Sequence, residues 1–177
     1  MERIGIFDFR RINKILSRCF LILMLLITIL FALVGCSTEL RMSEEEAAIA
    51  HDALMRLRVH FNSIESTFNL LFKESELETS PTTFWVYVQA TEDNIRAIAE
   101  IHSEVVSAAE FGTLPLQQFA KMTEDFEQLV IRHGIAMLSA SDHGSFSSDV
   151  ASLLVELVES TFSNMRAILL EMQTLVD

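Results

Sequence analysis

Five histidines, two cysteines and one consecutive Ser-Asp-His triplet are the residues of this 177-residue chain that could carry chemistry. Metal sites in helical bundles use Glu-x-x-His on two helices, so that a carboxylate and an imidazole project inward one turn apart. The residues three before His51, His60, His102 and His133 are Ala48, Leu57, Ala99 and Val130. None is acidic, so that di-iron pattern is missing. His102 and His133 fall on the apolar seams of their segments, where a half-buried ring with a hydrogen-bond partner is the ordinary arrangement. Ser141, Asp142 and His143 spell a hydrolase triad, but a triad is assembled in space, and neighbours in one loop read as turn chemistry. No GxSxG elbow or glycine-rich phosphate loop occurs. The acid-rich residues 73–78, KESELE, offer too few converging oxygens for calcium on one helix face. The expectation is a chain with no catalytic residue, no metal ligand and no cofactor beyond a covalent lipid, and not an enzyme.

The cysteines point elsewhere. Cys19 and Cys36 bracket a run without charge, and residues 20–34 read FLILMLLITILFALV. Five Lys/Arg precede it (Arg3, Arg10, Arg11, Lys14, Arg18) against two acids. A basic start, an apolar stretch and small residues at its end make an export signal. The junction Leu33-Val34-Gly35-Cys36 resembles the lipobox of bacterial lipoprotein precursors. The resemblance covers only residues 1–36. It implies that the Cys36 sulfur receives a diacylglyceryl group, that the signal is cut between Gly35 and Cys36, and that the new amino group is acylated. Two or three acyl chains give stable anchoring where one is marginal. Ser37, in place of an aspartate, is similar to what outer-membrane lipoproteins carry in two-membrane cells. An uncleaved anchor stays open as an alternative. The run from Cys19 to Gly35 is about 17 residues, the short limit for a span, with its basic flank on the cytoplasmic side.

Charge separates the two parts. Residues 1–35 carry a net +3, whereas the remaining 142 carry eight Lys/Arg and 23 Asp/Glu, against a whole-chain net of −12. An acidic body is repelled by phosphate backbones, so nucleic acid is not expected as a partner.

The expected organisation is a signal peptide over 1–35, a lipidated N-terminus and spacer over 36–42, and a helical domain over 43–177. The first helix begins at SEEE, where Ser43 and Glu46 form a capping box. Its apolar positions Ala50, Leu54, Leu57, Phe61, Ile64, Phe68 and Leu71 alternate steps of four and three, a seam suited to lengthwise packing. Without Gly or Pro before Pro81, this helix is expected over 44–78. Pro81 suits a first helical position and opens a second helix with Phe84, Val88, Thr91, Ile95, Ile98, Ile101, Val105 and Ala109. Gly112 suits a stop. Pro115 opens a third helix with Phe119, Met122, Phe126, Leu129 and Ala136, with Val130 and Met137 beside them. Residues 139–145 read as a loop. A fourth helix from about Ser147 carries Val150, Leu154, Leu157, Thr161, Met165, Ile168, Met172 and Leu175.

Four amphipathic helices with short connections predict an all-α, antiparallel up-down four-helix bundle. The chain would rise from the bilayer at Cys36, placing the turn at 79–81 far from it and the turn at 111–115 near it. At 1.5 Å per residue, His60 and His102 come to similar heights and His133 does not. Trp85 and Tyr87, the only tryptophan and tyrosine, form a candidate partner-binding pair at the far end, although Trp85 could simply cover the end of the core.

The functional expectation is a lipid-anchored cell-envelope protein with a non-catalytic interaction or scaffold domain. Its partners would be the bilayer and an envelope protein, with a second copy of the chain allowed. The alternative is a periplasmic ligand-binding or sensory bundle for a small apolar ligand, haem or metal. In architecture alone that resembles the periplasmic four-helix domains of chemoreceptors.

Overall fold

The computed structural model describes residues 41–74, 80–142 and 148–177. Within them lie α1 (Glu44–Asn69), which runs on into a π-helical turn (Leu70–Glu74), then α2 (Pro81–Ala109), α3 (Leu114–Asp142) and α4 (Ser148–Val176). Among the described residues the fold is all-α, with no strand and no helix long and apolar enough to cross a membrane. The expected signal segment, Gly35 and Cys36 lie outside the described residues, as do 75–79 and His143.

The first helix starts where its capping box requires. Ser43 Oγ accepts the Glu46 N–H at 3.2 Å, and the Glu46 carboxylate accepts the Ser43 N–H at 2.7 Å. Three consecutive glutamates from Glu44 face the positive end of the helix dipole. Ala50, Leu54, Leu57, Phe61, Ile64 and Phe68 are all buried, so the four-three seam is the core face. The expected regular α-helix does not hold through Glu74, and residues 75–78 of that expectation lie outside the described residues. Geometry changes after Asn69 to the wider π turn. A wider turn slows the rotation of the face, so Phe72 stays over the core, stacked on Phe68 at 4.8 Å and against Phe84 at 4.9 Å.

Ser80 caps α2, its Oγ accepting the Thr83 N–H, and Pro81 follows as the first helical residue. Tyr87 takes a fully buried place, while Val88 and Ile95 are only partly buried. The helix ends at Ala109, before Gly112. No described glycine has positive φ, so Gly112 does not serve as a left-handed cap. Space demands it instead: a Cβ there would lie 2.8 Å from Leu116 Cδ2 and 3.1 Å from Glu46 Oε1.

The last two helices depart more from expectation. α3 runs on to Asp142, through most of the expected loop, with Ser141 Oγ donating to the Leu138 carbonyl. Its buried face is Phe119, Thr123, Phe126, Val130, His133, Met137 and Ala140, and Met122 and Leu129 sit at the margin. In α4 the expected positions Val150 and Leu157 are exposed. Val158, Phe162, Met165, Leu169 and Met172 are buried. Met165 and Met172 are buried as expected, while Val158, Phe162 and Leu169 take the places expected for Leu157, Thr161 and Ile168, because Phe162, the largest apolar side chain in the middle of this helix, enters the core. It meets Phe61 at 5.7 Å and Phe68 at 5.4 Å, both edge-on, an arrangement aromatic quadrupoles favour.

One buried cluster thus draws on all four helices. Surface ion pairs mark which helices adjoin: Arg56 of α1 holds Glu104 of α2 at 2.5 Å, Arg166 of α4 holds Glu65 of α1, and Lys73 holds Glu159 at 2.6 Å. These pairs lie at the surface, with only Glu65 largely covered, and solvent screens them, so they specify neighbours more than they stabilise.

Candidate functional site

Three histidines face other helices, and each is bonded there. His60 Nδ1 meets Asn94 Oδ1 at 3.0 Å, and the Asn94 amide donates in turn to Ser63 Oγ. His102 Nδ1 lies 2.8 Å from Thr123 Oγ1, whose own hydrogen goes to the Ala120 carbonyl. The imidazole N–H must therefore be the donor. Its Nε2 faces Glu127 at 3.5 Å. His60 and His102, expected at similar heights, have different partners on different helices, and the structure gives no contact between them. No group of three His, Cys, Asp or Glu converges among the described residues.

The third histidine lies deepest. His133 of α3 is buried, and its Nε2 stands 2.6 Å from the Tyr87 hydroxyl of α2. Phe68, Phe72 and Phe162 surround the pair at ring distances of 5.1–5.9 Å. Burial pushes His133 down to about 4 and raises Tyr87 well above its ordinary value. Both rings are thus neutral near pH 7, and a hydrogen bond joins the phenol to the imidazole. No buried side-chain nitrogen or oxygen among the described residues lacks a partner. The pair is a polar link between α2 and α3 inside an apolar shell, where an unmet group costs most.

Tyr87 is thereby withdrawn from the expected partner-binding pair. It is 1 % exposed, whereas Trp85 is 51 % exposed and Val86 41 %. The reason is rotation: Tyr87 lies on the side of α2 that meets His133, and Trp85, two residues earlier, lies about 200° round. Trp85 with Val86 is what α2 leaves accessible near its N-cap.

Sequence places the turn between α2 and α3 at 111–115 but assigns no role to its apolar side chains. Phe111 there is 93 % exposed and Leu114 is 54 % exposed. The turn is nevertheless held firmly. Glu46 Oε1 accepts the Thr113 N–H at 2.7 Å, Glu46 Oε2 accepts the Thr113 hydroxyl at 3.1 Å, and Gln117 Nε2 donates to the Gly112 carbonyl. Hydrogen bonds from the Thr113 and Ser43 backbones hold the Glu46 carboxyl below its usual range. The capping box was legible; its third role, reaching across to Thr113, carried no sequence signal.

A pH dependence follows from His133. Its folded pKa lies below the unfolded value near 6.5, so between about 6.5 and 4 the unfolded chain binds a proton that the folded chain refuses. Stability from this group is complete above pH 6.5 and falls as pH drops through that window. From pH 7 to pH 5 the loss should be about 2 kcal/mol, read as a lower urea midpoint. A Tyr87→Phe, His133→Leu double variant, which removes both partners together, should lose this dependence. Were the parent midpoint unchanged at pH 5, His133 would be taking up its proton inside the bundle without penalty.

Comparison with protein-family models, with curated proteins and with solved structures finds no match to this chain.

Proposed function

We propose that the chain is a lipid-anchored protein of the bacterial cell envelope, held to a membrane through Cys36, whose helical domain acts as a non-catalytic interaction or scaffold module. The observation that carries this reading is Leu33-Val34-Gly35-Cys36, set at the end of a charge-free run behind basic residues and seven positions before the Ser43 cap. The finer architecture belongs to the same proposal: an antiparallel up-down bundle. Its support is the order of the bonds between helices. Rising residues of α1 meet falling residues of α2 and the turn after it, as Glu46 with Thr113, Arg56 with Glu104 and His60 with Asn94. The same reversal relates His102 with Thr123 and Tyr87 with His133 between α2 and α3.

In that architecture the start of α1 and the 111–113 turn face the bilayer, because the chain from Cys36 to Met42 spans at most about 20 Å. Ser80 and Trp85 face away from it, where an envelope protein can reach the tryptophan. Confinement near the membrane raises the effective concentration of the domain toward such a partner without any new contact. The acidic surface disfavours nucleic acid, and Ser37 favours the outer membrane facing the periplasm in a two-membrane cell.

Mass spectrometry of the mature N-terminus tests the reading. The expected product begins at Cys36 and carries a diacylglyceryl group and an amide-linked acyl chain. A product that begins at Met1, or one without a fatty adduct, rejects it.

A further inference from the structure

We propose that the turn between α2 and α3 is a membrane-seating wedge: Phe111 and Leu114 dip into the interface of the same lipid surface that holds Cys36. This rests on the lipid-anchored reading above and adds a second, non-covalent contact to it.

Three observations converge. Phe111 is the most exposed large apolar side chain among the described residues, at 93 %, and Leu114 beside it is 54 % exposed. Phe111 stands between α2 and α3, off the buried face of either, so core packing gives no reason for an aromatic there. Nor is the turn loose, since Thr113 is tied by its N–H and its hydroxyl to Glu46. The decisive point is what else Glu46 holds. Its Oε2 accepts the Ser43 N–H at 2.7 Å as well as the Thr113 hydroxyl at 3.1 Å. One carboxylate therefore joins the backbone where the chain enters α1 to the turn that displays Phe111. Ser43 is seven residues from Cys36, a reach of at most about 25 Å. Any surface that holds the acyl chains of Cys36 therefore lies within that reach of Ser43, and the turn is one carboxylate bridge further on. Gly112 lets the turn close on Glu46 and Leu116, where a Cβ would collide.

Amphipathic contact of this kind, an aromatic and a leucine at the level of the headgroups, is how interfacial segments bind. The local charge selects the lipid. Glu44, Glu45 and Glu110 flank the site, and fixed acids repel an anionic surface. The fitting partner is a zwitterionic bilayer. The wedge would also orient the domain, because a single point of attachment leaves tilt free and a second contact point does not.

The test uses the full lipidated chain in phosphatidylcholine–phosphatidylethanolamine vesicles. In a Trp85→Phe background, Phe111→Trp places the sole tryptophan in the turn, and a 93 % exposed position tolerates the exchange. Lipids brominated in the upper acyl chain should quench that reporter severalfold more than they quench Trp85 in the parent chain, with a blue-shifted emission. Flotation with the vesicles and no excess quenching overturns the wedge and leaves the tether standing. A blue shift without quenching places the turn against protein, such as a second copy, and overturns it as well. A chain that does not float overturns both readings.

Discussion

Replacing Phe61 by alanine is expected to lower the unfolding free energy by about 3–5 kcal/mol, a large part of the 5–15 kcal/mol typical of a domain. Phe61 is 2 % exposed. Its ring meets Phe126 of α3 edge-on at 6.1 Å and Phe162 of α4 edge-on at 5.7 Å, while the Arg166 guanidinium lies 6.0 Å from its centroid. The side chain therefore joins three helices. Its removal leaves a void lined by rings that have few other rotamers to fill it. Urea titration measures the loss, with Val59→Ala, at a 62 % exposed site on the same helix, expected within about 0.5 kcal/mol of the parent. A Phe61→Ala loss under about 1 kcal/mol would mean that the neighbouring rings collapse into the space, and the rigid four-helix core described here would be wrong.

The second large effect concerns Cys36. A Cys36→Ala chain has no sulfur to receive the diacylglyceryl group, and the cut before residue 36 depends on that modification in the class the junction resembles. The expected product keeps residues 1–35, carries no fatty adduct and no longer reaches the site of the native protein. On the proposed tether, whose hold would be acyl burial and not charge, the native protein should leave membranes with detergent and stay with them in high salt. Cys19→Ala should change none of this. Identical processing of the Cys36→Ala and native chains would remove the tether and with it the assigned up and down of the bundle.

How much of this was legible depends on how many solutions each helix offers. α1 offers one: its apolar residues fall on a single four-three seam, and Leu54, Leu57, Phe61, Ile64 and Phe68 are buried as read. α4 offers two. Leu154, Leu157 and Thr161 trace one stripe and Val158, Phe162 and Leu169 another, and only the rings waiting on α1 decide between them. Tyr87 shows the same limit. Its distance from Phe84 permits burial, but His133, 46 residues on, is what draws it in. The polar composition of 139–142 reads as loop, yet a solvated last helical turn has the same composition when Ser141 can bond back to Leu138. The π turn after Asn69 left no mark in residue types. His102 and His133 were readable as seam residues with a hydrogen-bond partner, although His133 is buried outright and not half-buried, whereas the partners themselves were not, because ideal rise gives height without rotation.

The bonds between α1 and α4 join residues far apart in the chain. Arg166 and Glu65 are 101 positions apart, against 34 for His60 and Asn94. Closing the longer loop costs about 1 kcal/mol more entropy, and it must wait until α4 has been made. While the polypeptide is still emerging, α1, α2 and α3 can already associate, but the rings of Phe61 and Phe68 stay bare on the side that Phe162 will cover. That naked aromatic strip is the hazard of the nascent chain. A folding helper that accompanies the chain would have to shield that strip until α4 arrives.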